Sequence, residues 1–103
     1  MNVAELPIQI DREQIAAFCR ARGIRKLCLF GSVLRNEFDA ARCDVDVLAE
    51  FALGVRPGLK FFGYGEDLAA IFGLKVDFNT AAWLSKYYRD EVLREAMPIY
   101  EQA

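Results

Sequence analysis

Two aspartates separated by one apolar residue, Asp44-Val45-Asp46, open a stretch that alternates polar and apolar as far as Phe51. In an extended strand such residues face the same side, with backbones roughly 7 Å apart, so both carboxylates can reach one ion or bridge a pair. Hard oxygen ligands of this kind suit Mg²⁺, or the similar Mn²⁺, which takes one or two carboxylates plus substrate phosphates. Taken alone, the same spacing also reads as a solvated strand edge. A third acid, Asp77, lies between Val76 and Phe78 in a second short alternating run, Lys75 to Asn79. By itself it too has the plain reading of an edge residue. If the two strands are neighbours, all three carboxylates meet on one face. Two could then hold metal while the third also takes the proton of an attacking hydroxyl.

Upstream, Gly31-Ser32 follows a continuous apolar run and precedes Val33-Leu34-Arg35. Where a buried strand turns into a helix start, free N–H groups and a close backbone approach can cradle an anion. Gly31 and Ser32 are therefore candidates for holding the terminal phosphates of a nucleoside triphosphate, with Arg35 one turn on as counter-charge. A strand-to-helix Gly-Ser turn can equally be purely structural.

Composition removes several alternatives. There is no histidine, so serine–histidine and cysteine–histidine catalysis are excluded. Cys19, Cys28 and Cys43 are odd in number and lack C-x-x-C spacing, which suits free thiols in a reducing cytoplasm. The formal charge is −2, so direct nucleic-acid binding is not expected. The basic residues of the first half, Arg12 to Arg42, read as a solvated surface. No apolar stretch approaches membrane-spanning length, and the expected location is cytoplasmic.

The elements that must position these groups follow from periodicity. Asp11 and Gln14 have the spacing of a capping box, Ile10 and Ile15 that of a hydrophobic staple, and Gly23 a helix stop. Ile15, Phe18 and Cys19 form the apolar stripe between them. Ile24 to Phe30 predicts a strand buried on both faces. Asn36 to Cys43 is polar and irregular, and Leu53 to Gly58 is a loop. Leu59 to Gly73 predicts a helix weakened by Gly63 and Gly65, each by roughly 1 kcal/mol. Ser85 is placed as the cap of a last helix carrying Tyr88, Val92, Leu93 and Ala96. Pro98 is expected to end it, with a short strand at Ile99-Tyr100. The 103 residues suffice for one domain. The fold class is α+β with α/β-like alternation: a small mixed sheet flanked by helices.

The run LFGSVLRNEFDAARCDVDVLAEF resembles the signature of the DNA polymerase beta-like nucleotidyltransferase superfamily, in which Gly-Ser and Asp-apolar-Asp are joined by a spacer. Eleven residues separate Ser32 from Asp44. KVDFNT resembles the strand of the third acid, and YYRDEVLREAMPIYE the close of the short branch called minimal nucleotidyltransferases. The resemblance covers nearly the whole chain, from the first helix to Tyr100. It implies the nucleotidyltransferase fold, Gly31 and Ser32 on the β- and γ-phosphates, Asp44 and Asp46 on metal, and Asp77 completing the site as proton acceptor. Two positions depart from the pattern: Cys43, where many relatives have serine, and Asn36, where many have glycine. They bear on local backbone geometry and phosphate-loop fit rather than on the chemistry.

Larger relatives carry a second domain for the acceptor, and a chain of this length has no room for one. The short branch resembles the antitoxin half of toxin–antitoxin pairs whose toxin is a HEPN-domain ribonuclease. The implied activity is transfer of AMP from ATP onto a tyrosine of that toxin. Phe61, Phe62, Tyr64, Tyr87, Tyr88 and Tyr100 are the aromatic candidates for partner docking, in a homo- or hetero-oligomer. Two other readings stay open: a non-catalytic module that neutralises its partner by occlusion, and a transferase acting on a small molecule.

Overall fold

Helix α1, Arg12–Arg22, forms where the capping signals place it. In the computed structural model, which describes residues 6–35, 38–39 and 41–102, the Asp11 carboxylate accepts the Gln14 backbone N–H at 3.2 Å and its side-chain amide at 2.8 Å. Ile15, Phe18 and Cys19 are buried as one stripe, and Ile10 packs against the same core. Gly23 ends the helix at φ 71° with its N–H on the Cys19 carbonyl. A Cβ there would stand 2.8 and 2.9 Å from the two methyls of Val55. Left-handed backbone costs an L-residue about 1–2 kcal/mol, and the Val55 contact adds to it. Gly23→Ala is therefore expected to lower Tm by roughly 10 °C. An unchanged thermal melt would contradict this account.

The remaining elements are β1 (Ile24–Phe30), β2 (Val45–Phe51), α2 (Phe61–Phe72), β3 (Val76–Asn79), α3 (Arg89–Glu95) and β4 (Met97–Glu101). The sheet order is β3-β2-β1-β4. β1 runs antiparallel to β2 and β4, while β2 and β3 are parallel. A parallel pair needs a crossover, and α2 supplies it. The result is the expected α+β domain with a mixed sheet.

Both faces of the central strands are covered, which is why Leu27 to Phe30 of β1 reads as an unbroken apolar run. Leu27, Leu29, Val45, Val47 and Ile99 join Ile15, Phe18 and Leu68 in the main core. On the opposite face Cys28, Phe30 and Leu48 pack with Leu84 and the half-buried Val92 and Ala96. Gly65 of α2 faces β3 closely: a Cβ there would lie 3.3 Å from Phe78 Cβ. Among the described residues no helix is long and apolar enough to cross a membrane.

Local detail departs from the sequence expectations in three places. Leu59 lies in a 3₁₀ turn, Gly58–Lys60, that leads into α2 rather than in the helix itself. The last helix starts at Arg89, not after Ser85. The Ser85 hydroxyl accepts the Tyr87 N–H at 3.3 Å and so serves a local turn, the alternative that serine side chains offer to helix. Pro98 sits inside β4, whose place at the sheet edge tolerates a missing N–H.

Candidate functional site

The register of the sheet brings the acids together. Asp46 and Asp77 are direct partners across the parallel β2–β3 pair. On its other side Asp46 is the partner of Phe30, the last residue of β1. Gly31 therefore emerges beside the carboxylates, at φ 75°. A Cβ on Gly31 would run into Asp46 Oδ2, so the turn closes on the acid with no space for a side chain. Asp44 lies one residue ahead of β2 and is exposed. Ser32 is half-buried in a single 3₁₀ turn, Gly31–Leu34, which is the short helical segment expected there. Asn36 lies outside the described residues.

The crowding shows in the ionisation of Asp46. Its carboxyl is pushed from the usual 3.8 up to about 6, first by burial, then by the charges of Asp77 and Asp44. A hydrogen bond to the Asp77 carboxyl adds to the rise, and the guanidinium of Arg35 opposes it. Among the described residues no three Asp, Glu or Cys side chains form a group that could hold a metal ion by themselves. The donor chemistry nevertheless fits Mg²⁺. All the nearby side-chain donors are hard oxygens, a cation would relieve their mutual repulsion, and this ion takes few protein carboxylates and completes its shell with water and phosphate.

Arg35 follows the turn, with its N–H on the Ser32 carbonyl at 2.9 Å. Its guanidinium reaches to 3.8 Å from Glu95 at the end of α3, both side chains being half-exposed. Together with Gly31, Leu34, Ala96, Met97 and Pro98 they line a cleft of about 520 Å³. The cleft shares Gly31 with the acid site, and none of the three aspartates lines it. Glu95 is the neighbour that sequence reasoning missed. Nothing local marks it, because its link to Arg35 exists only once α3 has folded over β1.

The thiols take no part in this geometry. Burial pushes Cys19 up to about 12 and raises Cys28 as well, while Cys43 is half-buried beside Asp44. Since the thiolate is the reactive form, a short alkylation of the native protein at pH 8 is expected to modify Cys43 alone. All three should react after denaturation, and intact mass distinguishes the two patterns. Rapid native labelling of Cys19 or Cys28 would contradict the packing described.

Residues 12–99 match the nucleotidyltransferase domain family. The chain belongs to that family. As a nucleotidyltransferase it is 36% identical over 75 residues to the protein adenylyltransferase MntA of Thermococcus cleftensis, covering 73% of this chain and 74% of that one. It is also similar to a solved structure presented as a candidate minimal nucleotidyltransferase. That likeness has a TM-score of 0.68 and 32% identity over 84% of this chain and 87% of the other. A more distant likeness in fold, TM-score 0.60 at 16% identity, is to a solved complex of an MNT antitoxin with a tri-AMPylated HEPN toxin from Shewanella oneidensis. It covers 88% of this chain and 70% of the matched one.

Proposed function

We propose that this nucleotidyltransferase moves AMP from ATP onto a tyrosine hydroxyl of a HEPN-domain toxin and so acts as its antitoxin. The observation that carries the reading is the in-register pair Asp46 and Asp77 closed in by Gly31. The names of the relatives point the same way. One is a protein adenylyltransferase, and another is the antitoxin bound to an AMP-bearing toxin.

In this reading Asp44, Asp46 and Asp77 hold Mg²⁺ or Mn²⁺, which when bound neutralises the triphosphate oxygens. Gly31 and Ser32 position the β- and γ-phosphates through their backbone and the serine hydroxyl. Arg35, paired with Glu95, supplies a positive charge in the lining of the cleft. Asp77, exposed at the outer strand, accepts the proton of the attacking hydroxyl. A new bond forms between that oxygen and the α-phosphorus, the bond to the β-phosphate bridge breaks, and pyrophosphate leaves. Most of the acceleration comes from positioning and charge neutralisation. Three free thiols suit a cytoplasmic setting.

The test is to incubate the protein with the HEPN-domain protein from the same genome, Mg²⁺, and ATP labelled at either the α- or the γ-phosphate. Covalent transfer of the α-label alone, mapped to tyrosine by mass spectrometry, is the expected result. Neutralisation of the toxin with no label transferred would favour occlusion and overturn the reading.

A further inference from the structure

Glu95 stands where its own helix does not favour it. It is the last residue of α3, and a carboxylate there faces the negative end of the helix. Its place is fixed from two sides. Val92 and Ala96 pack on Cys28, Phe30, Leu48 and Leu84, and Met97, two residues on, pairs with Leu29 near the end of β1. The Gly31–Leu34 turn leaves that same strand end. One end of β1 therefore carries both the turn that introduces Arg35 and the strand that anchors Glu95. The two side chains meet at 3.8 Å in the lining of the 520 Å³ cleft.

The guanidinium of Arg35 answers to two sets of negative charge. Its field reaches Asp46, where it opposes the rise of the carboxyl. The acids that push Asp46 up are Asp77 and Asp44, and Glu95 is not among them. Glu95 thus stands apart from the three aspartates and is linked to them through Arg35. Both members of the pair are half-exposed, and an ion pair in that setting is worth no more than about fivefold in an equilibrium. A triphosphate brings several negative charges, and bidentate contacts of arginine to phosphate are stronger than one carboxylate contact at 3.8 Å. The pair can hold Arg35 in the empty protein and still be broken by a nucleotide.

We infer that Glu95 is a positioning residue that competes with the nucleotide for Arg35. It holds the guanidinium while the cleft is empty, yields it to the β- and γ-phosphates, and takes it back as pyrophosphate leaves. This inference rests on the proposed transfer from ATP with Arg35 at the phosphates. It adds the residue that sets how tightly the triphosphate end is held. Because pyrophosphate keeps both phosphates that Arg35 meets, affinity for substrate and for product should move together.

Glu95→Gln keeps the shape of the side chain and removes its charge. The measurement is calorimetric titration, in Mg²⁺, with a non-hydrolysable ATP analogue and separately with inorganic pyrophosphate. Both Kd values are expected to fall about fivefold, with AMP affinity unchanged and the thermal melt close to wild type. In an Arg35→Gln background the same substitution should alter neither Kd, a double-mutant cycle with about fivefold coupling. A carboxylate that served only the packing of α3 would move the melt and leave the cycle without coupling.

Weaker binding in Glu95→Gln would mean that Glu95 aims Arg35 at the nucleotide instead of withholding it, and would overturn the inference. Equal tightening in both backgrounds would overturn it in favour of direct repulsion between Glu95 and the phosphates. Unchanged Kd values would overturn it and leave the transferase reading intact. A wild-type protein that binds neither probe would remove that reading, and the role of Glu95 with it.

Discussion

Asp46→Asn is expected to cut nucleotide transfer by on the order of a thousandfold while making the metal-free protein more stable. The two effects have one cause. Asp46 is the most enclosed of the three acids, and its carboxyl is pushed up to about 6 by burial and by the charges of Asp77 and Asp44. An asparagine keeps the shape and removes the charge on which the cation would rest, and loss of one preorganised electrostatic contact costs about 10²–10³ in rate.

The stability effect has a definite sign. A carboxyl whose folded pKa lies above its unfolded value of 3.8 binds its proton more tightly in the folded state. The metal-free protein therefore gains stability as pH falls from 7 through about 6 toward 4, and loses it on the way back. A tenfold change in proton affinity is worth about 1.4 kcal/mol. Water screens a half-exposed site, so about 1 kcal/mol is the realistic difference at pH 7. The asparagine variant should melt about 5 °C above wild type in EDTA at pH 7, with the gap closing near pH 4. Adding Mg²⁺ with a non-hydrolysable ATP analogue should raise the wild-type Tm and leave the variant almost unmoved. A variant that melts below wild type in EDTA would mean that Asp46 holds the fold together, and the site assignment would lose its main support.

Gly31→Ala is the second large effect. The residue sits at φ 75°, and a methyl there would collide with the Asp46 carboxylate. Left-handed backbone costs alanine about 1–2 kcal/mol, which the domain should survive folded. The collision does more damage. Either the carboxylate or the turn must shift, and a displacement near 1 Å at a reacting centre costs about a hundredfold. The expected result is a folded protein, with native circular dichroism and a Tm lowered by some 5–10 °C, that transfers about 1% as fast. Wild-type turnover by this variant would show that the Gly31 turn is not part of the site.

Much of this was legible before folding was considered. The capped start of α1, its stop at Gly23 and the alternation after Asp44 are short-range signals carried by neighbouring residues. The start of α3 was not legible, because Ser85 is an equally good residue for a helix cap and for a turn. Which aromatics would face water was also hidden. Phe61, Phe62 and Tyr64 are near neighbours in sequence, and their different exposure follows from which face of α2 packs on β3.

The sequence by itself determined the inventory of the site: oxygen ligands without imidazole, a glycine-serine turn after a buried strand, and an arginine close behind. Those are matters of residue type and local spacing. Only the tertiary structure decided that β3 lies beside β2, so that Asp77 stands opposite Asp46 although 30 residues separate them. It also decided that Glu95 reaches Arg35 and that Trp83 stands in solvent on Phe61. Strand order and helix placement are chosen by which distant surfaces bury most apolar area together, a sum over the whole chain that no local pattern carries.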